Sequence, residues 1–210
     1  MTLGEYSALC FAGVLSFEDG VKLTKARGEA MQLASDLEPT GMMAALGGTE
    51  EKVLMLCKTV SSRTGLSLSI GNYLCGGNYA ITGHRDACKV AKELSREYGV
   101  KLLPLSVSGA FHSSYMSPAV PILREALSIV QLNSPRIPVF ANIDANTKND
   151  PESIRTALLE QVTSPVQWEQ TMKKILLSEP VPICYELGPG NVCGNIAKKI
   201  RKDIVVKQIS

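Results

Sequence analysis

The stretch from "GMMAALGG" to "VKLLPL" constrains this chain more than any other, because it packs six elements of fixed type into a short span. Met42 to Leu46 reads as a strand. Thr49 to about Val60 reads as a helix, with Val53, Leu56, Cys57 and Val60 spaced three and four apart on one inward face. Two strands follow, Ser67 to Asn72 and Asn78 to Thr82, joined by the turn "LCGG". A helix from about Arg85 to Tyr98 and a strand from Val100 to Leu105 complete a β-α-β-β-α-β order. That order predicts a ferredoxin-like unit, bounded here at residues 39–106.

The flanking segments have another rhythm. Ahead of the unit, "SFED" supplies a hydroxyl N-cap with an acid three residues on, opening a helix from Ser16 to Asp36. Phe17, Val21, Ala30 and Met31 mark its expected apolar stripe. After the unit come helix "PAVPILREALSIV", strand "IPVFAN", helices "PESIRTALLEQV" and "VQWEQTMKKILL", strand "VPICYELG", helix "NVCGNIAKKI" and strand "DIVVKQI". Short apolar strands separated by helices predict a parallel α/β layer. The fold class is therefore α/β, with residues 1–38 and 107–210 forming a core into which the small unit is inserted. The opening strands of that core are expected to lie outside this sequence.

Composition narrows the classes of function. A chain of 210 residues can bury one sizeable core or two small ones. A net charge of +2 gives no broad basic surface for nucleic acid. No apolar run reaches the roughly 18 residues of a membrane helix, so a soluble protein is expected. The six cysteines include no C-x-x-C pair and several sit in apolar runs, a pattern of buried thiols in a reducing compartment. No metal site is expected. Nor does the start read as a signal or transit segment.

Two histidines limit the search for a base active near neutral pH. His84, in "AITGHRDA", stands where a strand runs into a helix and reads as satisfying free helix amides. His112, in "LSVSGAFHSSYM", follows a strand in a segment of small residues, where both a structural and a functional role fit. The opening "MTLGEYSALC" matches the back half of a G-x-S-x-G nucleophile elbow: Leu3 and Gly4 fill the last two places and Thr2 stands in the serine's place. "GPGNVCG" spaces its glycines G-x-G-x-x-x-G, which departs from a dinucleotide-binding loop. Cys75 lacks the flanks of a cysteine nucleophile.

"LGEYSAL", "ARGEAMQ", "GAFHS", "TSPVQW" and "ELGPG" together carry a resemblance. In this order and spacing, over nearly the whole chain, they resemble the malonyl-CoA:acyl carrier protein transacylases, the loading enzymes of dissociated fatty acid synthesis. The resemblance implies a hydrolase-like α/β core with a ferredoxin-like insertion, agreeing with the element order. It implies a ping-pong acyl-enzyme mechanism with malonyl-CoA and phosphopantetheinyl acyl carrier protein as substrates and no further cofactor. Residue by residue, it implies His112 as the catalytic base, Arg27 as the clamp on the malonyl carboxylate and Gln161 as the residue whose backbone carbonyl orients the histidine. Leu3 would supply an oxyanion amide, Phe111 would crowd an α-methyl branch and so favour malonyl over methylmalonyl, and Asn72 falls at a pocket position. The basic run of Lys198, Lys199, Arg201 and Lys202 is the candidate surface for an acidic carrier.

The same resemblance places the family's "GQGSQ" segment and the elbow's strand and serine ahead of residue 1. This sequence is accordingly expected to be the C-terminal two-thirds of such an enzyme, begun at an internal methionine. With threonine in the serine's place and no strand to hold it, these 210 residues are expected to form no covalent malonyl adduct. The alternatives are a non-catalytic module binding carrier protein or coenzyme A, and a malonyl-selecting acyltransferase of a polyketide pathway. A monomer is expected, in the bacterial cytoplasm or in a plastid or mitochondrion.

Overall fold

The computed structural model describes residues 2–178 and 180–209. Met1, which precedes the elbow remnant, lies outside the described residues. The chain opens with helix α1 (Thr2–Phe11), and helix α2 (Phe17–Leu37) follows a short turn. Ser16 caps α2, its side chain accepting from the Asp19 amide at 3.0 Å, as "SFED" predicts.

The face of α2 differs from the expected stripe. Leu23, Arg27, Ala30, Met31 and Ala34 are buried, while Phe17 and Val21 are 80% and 54% exposed. The buried set recurs at three- and four-residue spacing, and Phe17 and Val21 fall off that line, bordering an open cleft with Cys10 and Thr24.

The predicted small unit forms one antiparallel sheet. Strands β1 (Thr40–Leu46), β2 (Leu68–Cys75), β3 (Asn78–His84) and β4 (Lys101–Pro104) lie in the order β2-β3-β1-β4. Met43 pairs with Ile81 on one side of β1 and with Pro104 on the other. Helices α3 (Glu50–Thr64) and α4 (Arg85–Leu94) connect the strands and share a core with them. All four inward residues predicted for α3 are buried in it. Thr49 caps α3, and Gly65 ends it with a left-handed φ of 69°. The hairpin turn is Gly76–Gly77, tighter than "LCGG", because β2 continues through Cys75. The last turn of the helix expected over 85–98 tightens to a 3-10 turn from Ser95 to Tyr98.

Gly83 lets β2 and β3 meet. A Cβ there would stand 2.3 Å from the Ser67 carbonyl oxygen, a backbone atom that moves only with its strand. Gly83→Ala is expected to lower stability by about 1–3 kcal/mol, read as an earlier midpoint in urea unfolding.

The flanking segments pack helix on helix. Helices α5 (Ala119–Ser128) and α6 (Pro151–Glu160) join α1 and α2 around Tyr6, Leu9, Leu23, Leu123, Leu127 and Leu158. Helix α7 (Trp168–Ser178) leads to strand β5 (Ile183–Leu187), helix α8 (Val192–Ile200) and strand β6 (Val205–Ile209). β5 and β6 run parallel, from Ile183 opposite Val205 to Leu187 opposite Ile209, with α8 as the crossover. The α/β class is thus met.

"IPVFAN" is not a strand. Among the described residues it makes a single bridge, Phe140 to Thr147. Pro138 has no amide to donate, and the Asn142 amide donates to the Glu5 carboxylate rather than to a ladder. No helix of the described residues is long and apolar enough to cross a membrane.

Candidate active site

His112 is held by both halves of the fold. The loop after β4 lies against β1, where the Ala110 amide donates to Thr40 Oγ1 at 3.0 Å. It also lies against β3, where Thr82 Oγ1 donates to the Phe111 carbonyl at 2.8 Å. Gly109 permits the close pass over α2, since a Cβ there would stand 2.1 Å from Ser35 Oγ. Past these anchors the chain turns into the left-handed region at His112, φ 62°, and its amide donates to the Val162 carbonyl, just past α6. A non-glycine residue held in that region marks a place where the surroundings dictate the backbone.

The imidazole has a partner on each nitrogen. Nδ1 lies 2.9 Å from the Gln161 backbone carbonyl and Nε2 lies 3.0 Å from Thr2 Oγ1. A carbonyl only accepts, so Nδ1 carries the proton and the Nε2 lone pair faces the hydroxyl. Gln161 caps the C-terminus of α6, where a helix leaves its last carbonyls free for such a bond. Burial pushes the His112 pKa down to about 4. The Gln161 carbonyl opposes this shift and the nearby Arg27 cation adds to it. At neutral pH the ring is a neutral base beside a hydroxyl.

Thr2 is not the unsupported hydroxyl expected from the sequence. It is the first residue of α1, which is anchored by buried Glu5, Tyr6 and Leu9, and its oxygen is already engaged with His112. Leu3 follows in the first turn, where a helix amide has no intrahelical acceptor. Arg27 is 9% exposed, with its guanidinium 5.9 Å from the Tyr6 ring centroid and its Nε unpartnered among the described residues. It pairs with no carboxylate among the described residues. Burial pushes its pKa down, and the Tyr6 and Glu5 groups nearby oppose that. A guanidinium remains charged even so, and a buried cation without a counterion is a site for an anion.

Asn72 lies on β2 at the bridge to Val166. Phe111 packs against the helical core. The basic run divides: Lys198, Lys199 and Lys202 are exposed. Arg201 donates to the carbonyls of Leu176 and Val181, so it ties α8 to α7 and is lost to a docking surface. His84 accepts from the Asp86 amide at the start of α4, the structural role expected. In "GPGNVCG" the amides of Cys193 and Gly194 are taken by the Glu186 carboxylate, so these two are not free for a phosphate. Sequence reasoning missed Glu5, which is buried and accepts from Gln161 Nε2 at 2.7 Å and from the Asn142 amide at 3.0 Å. Its place inside "LGEYSAL" was the available signal.

A hydroxyl, a neutral imidazole and an orienting carbonyl in succession are the groups that nucleophilic acyl chemistry uses, and the buried cation near them can hold an anionic group. A family model described as the acyl transferase domain matches residues 2–185, and the chain belongs to that family. The malonyl CoA-acyl carrier protein transacylase of Haemophilus influenzae is 38% identical over 204 residues, covering 97% of this chain and 64% of its own length. The mitochondrial malonyl-CoA-acyl carrier protein transacylase of Mus musculus is 37% identical, covering 94% of this chain and 54% of its own. The chain therefore spans less than two thirds of these two curated relatives. Among solved structures, an acyl carrier protein S-malonyltransferase from Vibrio cholerae matches with a TM-score of 0.93 at 34% identity, covering 100% of this chain and 68% of that one. A malonyl-transacylase solved in complex with a type II polyketide acyl-carrier protein matches with a TM-score of 0.92 at 33% identity, over 100% of this chain and 67% of that one.

Proposed function

We propose that this chain transfers a malonyl group from malonyl-CoA to the phosphopantetheine thiol of an acyl carrier protein, in fatty acid synthesis, through an ester on Thr2. The observation that carries this reading is the line from Thr2 Oγ1 through His112 to the Gln161 carbonyl. His112 Nε2 takes the hydroxyl proton as Oγ1 attacks the thioester carbonyl, and the Leu3 amide, in the first turn of α1, donates to the developing oxyanion. The proton then passes to the departing coenzyme A sulfur. In the second half the imidazole takes the proton of the incoming pantetheine thiol, the thiolate attacks the ester, and the proton returns to Thr2. Arg27 holds the malonyl carboxylate in both halves, and Phe111 limits branching at the α-carbon. Lys198, Lys199 and Lys202 are the surface offered to an acidic carrier.

This reading departs from the expectation that no adduct forms, which rested on the absent serine and the absent strand; the contact of Thr2 Oγ1 with His112 Nε2 supports it. The β-branch of threonine restricts its rotamers, so acylation is slower than at a serine but keeps the same route. Radiolabelled malonyl-CoA incubated with the protein and a phosphopantetheinylated carrier is expected to label the carrier. Carrier labelling no greater than in a protein-free control, with the carrier bound all the same, would make the chain a binding module and overturn the proposal.

A further inference from the structure

The hydrogen bonds at the site form a closed ring. Thr2 Oγ1 meets His112 Nε2, His112 Nδ1 donates to the Gln161 carbonyl, and the Gln161 side-chain Nε2 donates to Glu5 Oε2 at 2.7 Å. Glu5 lies three residues after Thr2 on α1, and residues three apart share a helix face. One rigid helix therefore carries the hydroxyl and also, through Glu5, the tether of the residue that orients the base. The same carboxylate oxygen accepts the Asn142 amide at 3.0 Å, which fixes it from the "IPVFAN" segment as well.

Glu5 is 7% exposed and Gln161 is fully buried, and among the described residues neither belongs to a salt bridge. A carboxylate buried this way is disfavoured by lost hydration, so packing alone would be served better by an apolar residue. We infer that Glu5 is the positioning residue of the site: by holding the Gln161 side chain it fixes the backbone carbonyl that selects the Nδ1–H tautomer of His112. Gln161 Oε1 is buried without a partner, so the amide is anchored through its nitrogen, on Glu5. Glu5 touches no reacting atom, and it acts through Gln161 and His112.

The inference builds on the proposed acyl transfer, and its test includes a readout that needs no turnover. In protein labelled with 15N-histidine, the His112 ring nitrogens are assigned by comparison with His84→Asn, since the chain has two histidines. The native ring is expected in the Nδ1–H form. Glu5→Ala is expected to spread it over both tautomers and to slow acylation by about 10–100-fold, the range for loss of a residue that orients a functional ligand. Glu5→Gln keeps an acceptor oxygen and is expected to restore the Nδ1–H form. Should Glu5→Ala fail to fold, Gln161→Met cuts the same tether from the other end, removes an unpaired buried oxygen and leaves the carbonyl in place; it is expected to spread the tautomers likewise. A folded Glu5→Ala or Gln161→Met protein with an unchanged Nδ1–H signal would overturn the inference. Tautomer loss in a chain that transfers no malonyl group would uphold it while removing the proposed function.

Discussion

Replacing His112 with alanine is expected to slow malonyl transfer by about 10²–10⁴-fold, the range a positioned general base supplies. Substrate binding should change little, because Arg27 and the small sheet remain, so the loss should fall on kcat rather than on KM. The pH dependence distinguishes this base from an ordinary exposed histidine. Burial pushes His112 down to about pKa 4, with Arg27 adding to the shift. The base works only when neutral, so the rate should hold level from pH 8 down past 6 and fall as pH approaches 4. An inflection near pH 6.5 in the native profile would show a ring open to water, contrary to the buried position found.

Arg27→Ala is expected to abolish most of the preference for malonyl over acetyl thioesters, by roughly 10²-fold, or about 3 kcal/mol. A buried guanidinium with no counterion among the described residues has already lost its hydration on folding, so it gives up little more when a carboxylate arrives and gains charge-assisted hydrogen bonds. Acetyl transfer should be nearly unaffected, because acetyl has no charge to meet. Arg27→Lys should recover only part of the preference, since an ammonium cannot grip both carboxylate oxygens as a guanidinium fork does. Removing the cation should also raise the His112 pKa, because Arg27 is one of the groups that lower it. Measuring kcat/KM for both thioesters in the native and Arg27→Ala proteins checks this, and an unchanged ratio would remove Arg27 from the acyl pocket.

Much of the fold could be read from the sequence where the signal was local. Ser16 announced its helix as a hydroxyl cap, and α3 buried the four residues its spacing picked out. Readings failed where the deciding partner was remote. Nothing within "IPVFAN" tells that the Asn142 amide will be taken by a carboxylate 137 residues away, which withholds that amide from a ladder. Arg201 looked like surface charge until Leu176 of α7 and Val181 beyond it supplied carbonyls for it. Phe17 and Val21 are apolar residues at an open cleft, a placement that periodicity cannot tell from a core stripe.

The site divides in the same way. The "GAFHS" and "ARGEAMQ" motifs led to His112 and Arg27 through resemblance, and composition alone left His112 undecided. Neither the grip on Thr2 nor the role of Glu5 could be read from the sequence. Glu5 and Gln161 are 156 residues apart, and their contact exists only once α1 and α6 pack.

Whether the hydroxyl at position 2 attacks the thioester is tested directly by brief incubation with malonyl-CoA, acid quench and mass spectrometry of the peptide containing Thr2. The expected result is one malonyl ester on Thr2, formed about tenfold faster in Thr2→Ser, a barrier difference of roughly 1.4 kcal/mol, and not formed in Thr2→Val. A malonyl group on any other residue, or equal labelling of Thr2→Val, would contradict it.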